Sequence, residues 1–209
     1  MFPAGGLKAG RFIGVARGRG GRIPVLVLHW PAVWPLFRWK SATFNLFALT
    51  IGAMIPDIEC PFVYLVVWDK WKARWVMHSL LGAATVDLVL TVLLVLYFVP
   101  WFLKYLDGKV KNKKYFKFAG TDLRAHTTKM GAIVGSTLVG TYSHVLIDVL
   151  HHPYNPLTFP FAQYYGFNLV LFNDLTLSGI IVQGGMLILL IMMLYLWYFR
   201  ELMREVRGR

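Results

Sequence analysis

Four long apolar stretches, at about 41–68, 76–103, 130–150 and 177–199, leave this chain few folds to adopt. Each can cross the roughly 30 Å hydrocarbon core of a bilayer as a helix rising about 1.5 Å per residue. Inside a bilayer no water satisfies exposed backbone groups, so a chain with several such stretches folds as a bundle of helices. The expected fold class is therefore all-α: an integral membrane helical bundle of about four transmembrane helices, in a single domain over 23–209. Composition agrees, because 57% of the residues are hydrophobic and only 15% charged, against about 25% charged in soluble domains.

Ahead of the spans, the Gly-rich and basic residues 1–22 read as a flexible N-terminus. They resemble a secretory signal only superficially, since the apolar run Ile23 to Leu28 is short and meets Trp30, Pro31 and Pro35. The segment Val25 to Trp39, VLVLHWPAVWPLFRW, is too short to span. Its tryptophans and prolines suit an interfacial or re-entrant element packed on other helices.

The formal charge is +12. Its Lys and Arg gather in the N-terminal segment, in the C-terminal RELMREVRGR, and in Lys104 to Lys129, which carries eight of them. Four spans put all three groups on one side, which by the positive-inside rule is the cytoplasm, with both termini there. A multi-pass protein of the plasma or inner membrane is expected, with membrane lipids as partners and no nucleic acid. Lys70, Lys72 and Arg74 run against this rule, being positive in a connection that should face outward. Cys60 is the single cysteine, which rules out an intramolecular disulfide and a cluster of thiolates.

Ionisable groups inside a bilayer cost roughly 2.5–3.5 kcal/mol each for Asp at a helix centre and persist when paired or facing a cavity. In a chain with ten acidic residues, Asp57, Glu59 and Asp148 beside apolar spans are informative. The run SHVLIDVLHH sets His144, Asp148 and His151 or His152 at spacings of four, seven and eight, one face of a helix. Pro56 and Pro61 break the first span beside Asp57 and Glu59, freeing backbone groups that need partners inside the protein. Imidazole and carboxylate donors without cysteine suit zinc best, or manganese or iron, over calcium or magnesium. Asp57, His78, His144, Asp148 and His152 exceed what one tetrahedral ion requires, which leaves room for two. Asp87, nine residues from His78, falls on the opposite side of a continuous helix and is expected to pair with another helix. Ser79 and Ser143 adjoin histidines, but neighbours on a helix diverge, so neither makes a Ser-His nucleophile. In the third span, Gly131, Gly135, Ser136, Gly140 and Ser143 allow close helix packing.

Three pieces carry a family resemblance: GAMIPDIE from Gly52, RWVMHSLLG from Arg74, and GTYSHVLIDVLHHPYNPLTFPF from Gly140. Together they resemble the membrane-bound, metal-dependent hydrolases of unknown substrate, a group that includes the LexA-regulated inner-membrane hydrolase-like proteins of bacteria. The resemblance implies Asp57, His78, His144 and Asp148 as metal-site residues, and more faintly His29. That family is itself distantly similar to zinc-dependent phospholipase C, whose metals sit on an HxxxD helix, the form of His144 to Asp148. Two positions depart from the family's HRGxTHS stretch, with Ala73 for its first His and Met77 for its Thr. His151 stands where the family commonly has Thr. The site is then either rebuilt with His151 or His152, or degenerate.

The expected activity is hydrolysis of a phosphoester, such as a phospholipid-like head group, by a metal-activated water. Glu59 is the candidate general base and His152 an additional ligand or proton shuttle. Two other readings share these residues: a non-enzymatic membrane protein with a structural metal site, and a transporter of metal ions or small solutes.

Overall fold

A computed structural model describes residues 29–40, 42–68, 73–110, 117–118, 121–122, 129–161 and 169–207. The N-terminal residues 1–22, Lys70, Lys72 and much of the basic 104–129 segment lie outside the described residues. Apart from a two-residue antiparallel ladder, Lys117–Phe118 with Thr121–Asp122, the regular structure is helical.

A 3-10 turn, Trp30–Ala32, leads into helix α1 (Trp34–Trp39). Pro31 and Pro35 stand at the first positions of these elements, where the missing N–H has no partner to lose. A turn at Lys40 leads to α2 (Leu46–Gly52), capped by Asn45, whose side-chain oxygen accepts from the Ala48 amide at 2.9 Å. Packing of α1 on α2 buries Val33, Phe37, Leu49 and Ala53. The described segment 29–39 thus sits against the bundle.

After Gly52 the chain bends. A 3-10 turn, Ile55–Ile58, leads into α3 (Glu59–Val67), and α2 with this second half forms one apolar element broken by 45°. The second span, Leu80–Lys109, is built from α4 (Leu80–Ala84), α5 (Val86–Leu93), a π-helical turn Leu94–Phe98, and α6 (Val99–Lys109). The π turn lies just ahead of Pro100, whose ring displaces the carbonyl four residues back. The third span is α7 (Met130–Val149), and the fourth is the apolar part, Leu175–Phe199, of α8 (Leu175–Arg207). Among the described residues, three helices are long and apolar enough to cross a membrane, four with the broken pair. Their outward faces are apolar: Val66 is 80% exposed and Ile188 67%, surfaces suited to lipid.

The second span starts at Leu80, later than hydropathy alone suggests. Ser79 is the reason: its hydroxyl accepts from the Gly82 amide at 2.9 Å as an N-cap and donates to the Val76 carbonyl at 2.6 Å. His78 therefore sits on a separate 3-10 turn, Val76–His78. The angular argument that set Asp87 opposite His78 assumed one continuous helix and does not apply. Asp87 is buried, and neither of its oxygens has a hydrogen-bond partner among the described residues, so the expected pairing is not found.

Helix α2 runs parallel to the middle of α7. The Asn45 amide donates to Ser136 Oγ at 2.8 Å, Leu49 and Gly52 meet Gly140, and the Ala53 carbonyl meets His144. A Cβ on Gly140 would lie 2.5 Å from the Leu49 carbonyl oxygen, while one on Gly131 or Gly135 meets nothing within 4 Å. Of these three glycines, only Gly140 serves the close crossing. Gly140→Ala is expected to destabilise the protein by about 1–3 kcal/mol, as overpacking does. Gly135→Ala, by contrast, stays at or above wild-type stability; thermal melts of the two variants in one detergent check this.

Candidate metal centre

The broken span, the turn before α4 and the end of α7 deliver ionisable side chains to one buried place. Asp57 comes from the turn Ile55–Ile58, His78 from the turn Val76–His78, and His144 and Asp148 from successive turns of α7. All four are buried, and one donor atom of each lies within 4.8 Å of the others. His78 Nε2 is 3.6 Å from Asp57 Oδ1 and 3.4 Å from Asp148 Oδ2. His144 Nε2 is 3.6 Å and 3.7 Å from the same two oxygens.

These separations fit an ion. A tetrahedral site with metal–ligand bonds of 2.0–2.2 Å has its donors about 3.3–3.6 Å apart. The tautomers agree with that reading. His78 Nδ1 pairs with Glu59 Oε1 at 2.8 Å, and His144 Nδ1 with the Ala53 carbonyl at 2.9 Å. Both partners are acceptors, so each Nδ1 carries a hydrogen, and each Nε2, when it holds no proton of its own, presents a lone pair to the two aspartates. Lone pairs facing carboxylate oxygens repel unless a cation lies between them. His144 Nε2 is buried with no hydrogen-bond partner among the described residues. A carboxylate or carbonyl behind a ligating imidazole is also the usual outer support of a metal site.

Glu59, expected as a general base, is placed behind His78. Its oxygens accept from the amides of Trp75 at 2.6 Å and Met77 at 3.0 Å as well as facing His78 Nδ1. His152 Nε2 accepts from Arg74 Nη2 at 2.7 Å and lies 3.6 Å from Asp148 Oδ1. Burial, and then the Arg74 charge, outweigh Asp148 and hold the His152 imidazole down at about 2, so it is a neutral acceptor.

His29, from the segment before α1, also reaches the centre. Its Nε2 is 3.2 Å from Asp148 Oδ1 and its Nδ1 3.7 Å from Asp57 Oδ2. Burial lowers its pKa, but Asp148 and Asp57 outweigh burial and push it up to about 9. The pocket thus attracts positive charge. His151, just past α7, turns Nε2 toward Asp148 Oδ1 at 3.9 Å.

Sequence reasoning missed three residues here. Arg74, counted as a loop charge, is buried and its Nε donates to Asp148 Oδ2 at 2.9 Å. Its position in an RxxxH stretch is the signal that was available. Asn155 is buried and donates to the carbonyls of His152 at 3.0 Å and Asp148 at 3.4 Å, closing the end of α7. Cys60 Sγ lies 3.8 Å from Asp57 Oδ1 and 3.9 Å from His78 Nε2. The two serines serve the backbone, Ser79 as a cap and Ser143 by donating to the Gly140 carbonyl at 2.7 Å.

A cavity of about 670 Å³ shares Glu59 and Arg74 with the centre. Its other walls include Phe62, Val66, Trp75, Met77 and Tyr154.

The family model of a domain of unknown function, DUF4184, matches residues 23–206, a range that holds every residue of the centre. No curated protein and no solved structure matches the chain.

Proposed function

Since the chain belongs to the DUF4184 family, a family of unknown function, we propose its activity from the centre itself: a membrane-embedded, metal-dependent hydrolase acting on a phosphoester of a lipid head group. The observation that carries this is the buried set of Asp57 Oδ1, His78 Nε2, His144 Nε2 and Asp148 Oδ2, in which each imidazole nitrogen lies 3.4–3.7 Å from both carboxylate oxygens. Zinc is the ion we assign, from nitrogen and oxygen donors in that geometry. A divalent ion held there by Asp57, His78, His144 and Asp148, taking water as a fifth ligand, would lower the pKa of that water from 15.7 to about 7 and so supply a nucleophile at neutral pH.

The protein's own groups do the rest. Glu59 and the Ala53 carbonyl orient the two imidazoles. Arg74, shared between centre and cavity, is placed to meet a phosphoryl oxygen. The cavity's size is that of a ligand pocket and its apolar walls suit an acyl chain. The resemblance to metal-dependent membrane hydrolases points the same way. We place the protein in the plasma or inner membrane with both termini cytoplasmic, and the burial of Arg74 against Asp148 supports this by removing one charge that opposed it.

A structural reading competes on one observation: four protein donors complete a tetrahedron, as in sites that only brace a fold. Elemental analysis of detergent-purified wild type and His144→Ala, paired with release of phosphate esters from long-chain phospholipid micelles, tests both. Bound zinc and lipid cleavage in wild type, with both lost in His144→Ala, is the expected result. Zinc without cleavage of any phospholipid leaves the structural reading, and wild type free of metal after reconstitution ends both.

A further inference from the structure

A second group of donors converges on the far oxygen of Asp148. His29 Nε2 is 3.2 Å and His151 Nε2 3.9 Å from Asp148 Oδ1, and the three atoms all lie within 4.8 Å of one another. Asp148 Oδ1 and His151 Nε2 are buried without hydrogen-bond partners among the described residues. Their side chains are 1% and 2% exposed. His151 Nδ1 faces the Ile147 carbonyl at 3.0 Å, so it carries the hydrogen and Nε2 holds a bare lone pair aimed at a carboxylate oxygen. His29 Nδ1 faces Asp57 Oδ2 at 3.7 Å, where an N–H would find the carboxylate that commonly backs a ligating imidazole.

We infer that the protein binds two divalent ions bridged by the Asp148 carboxylate, the first by Asp57, His78, His144 and Asp148 Oδ2, the second by His29, His151 and Asp148 Oδ1. This rests on the first ion of the proposed function. The two groups differ in what they leave open. Four protein donors fill a tetrahedral ion, whereas three leave a position for water or substrate, as catalytic zinc sites do. The second ion is therefore the more open of the two to substrate, and a bridged pair is a recurrent arrangement in phosphoester hydrolysis. His152 does not complete the second group while its Nε2 accepts from Arg74.

Full-length protein in detergent, stripped by chelator, is titrated with zinc, and with manganese for electron paramagnetic resonance. Wild type is expected to take up a second equivalent of either metal and to show the compressed hyperfine pattern of an exchange-coupled manganese pair. His151→Ala and, should that variant not fold, His29→Ala are expected to hold a single equivalent with an isolated manganese signal. A single equivalent in wild type overturns the second ion and leaves the mononuclear reading of the proposed function intact. No uptake at all overturns both. Two equivalents retained in either histidine variant overturn the assignment of these ligands.

Discussion

Asp148→Asn is expected to strip the protein of metal and to lower lipid cleavage on the order of 10³-fold or more. Both carboxylate oxygens are engaged, Oδ2 3.4 Å and 3.7 Å from the imidazoles of His78 and His144, and Oδ1 toward His29 at 3.2 Å. An amide keeps the shape and can still accept from Arg74, but it offers one weak oxygen and no charge. A metal ion contributes several kcal/mol to charge stabilisation in a hydrolytic transition state, and each 1.36 kcal/mol is tenfold in rate. Asp87→Asn is the matched control, a buried carboxylate in the second span that belongs to neither donor group. Its metal content should equal wild type, and its stability should hold, since a buried carboxyl without a hydrogen-bond partner among the described residues is replaced by a neutral amide of the same shape. Atomic absorption on both variants checks this. Metal retained in Asp148→Asn would mean that the imidazoles and Asp57 suffice, and the bridging role would be lost.

How much of this centre could be read from sequence depended on whether its residues share a regular element. His144 and Asp148 lie four apart on α7, where helical periodicity applies, so their convergence was legible from spacing alone. Asp57 was legible because Pro56 marks the break that frees its turn. His78 lacked such a signal. It sits on a 3-10 turn ahead of a serine cap, so its place beside an apolar span made it a candidate, but no spacing tied it to the other donors. Periodicity also misled there, by placing His78 and Asp87 on one helix. The same limit hid Arg74, Asn155 and the supporting role of Glu59, because all three reach the centre across turns whose path no spacing rule encodes. Among the glycines of the third span, composition could not distinguish Gly140 from Gly135, since only the partner helix decides which face is crowded. The spans themselves were legible within a few residues, because bilayer thickness sets their length and leaves tertiary structure little to override.

Arg74→Ala is expected to destabilise the metal-free protein by about 3–5 kcal/mol, the usual cost of leaving one member of a buried ion pair alone. The guanidinium donates from Nε to Asp148 at 2.9 Å and from Nη2 to His152 at 2.7 Å, so its loss orphans a carboxylate and an imidazole together. In metal-loaded protein the loss should be smaller, because a bound ion compensates Asp148 in place of the arginine. Arg74→Lys separates charge from geometry: it restores a cation but not the fork that reaches both partners, and its melting temperature should fall between the two. Thermal melts of wild type and both variants, with and without chelator, supply the comparison. The quantity that matters is the difference between the two conditions, since a packing defect at Arg74 would lower both by the same amount. Only an ion that shares the Asp148 charge makes the arginine matter less when metal is present, and an equal loss under both conditions would mean that no bound ion shares the charge of that carboxylate.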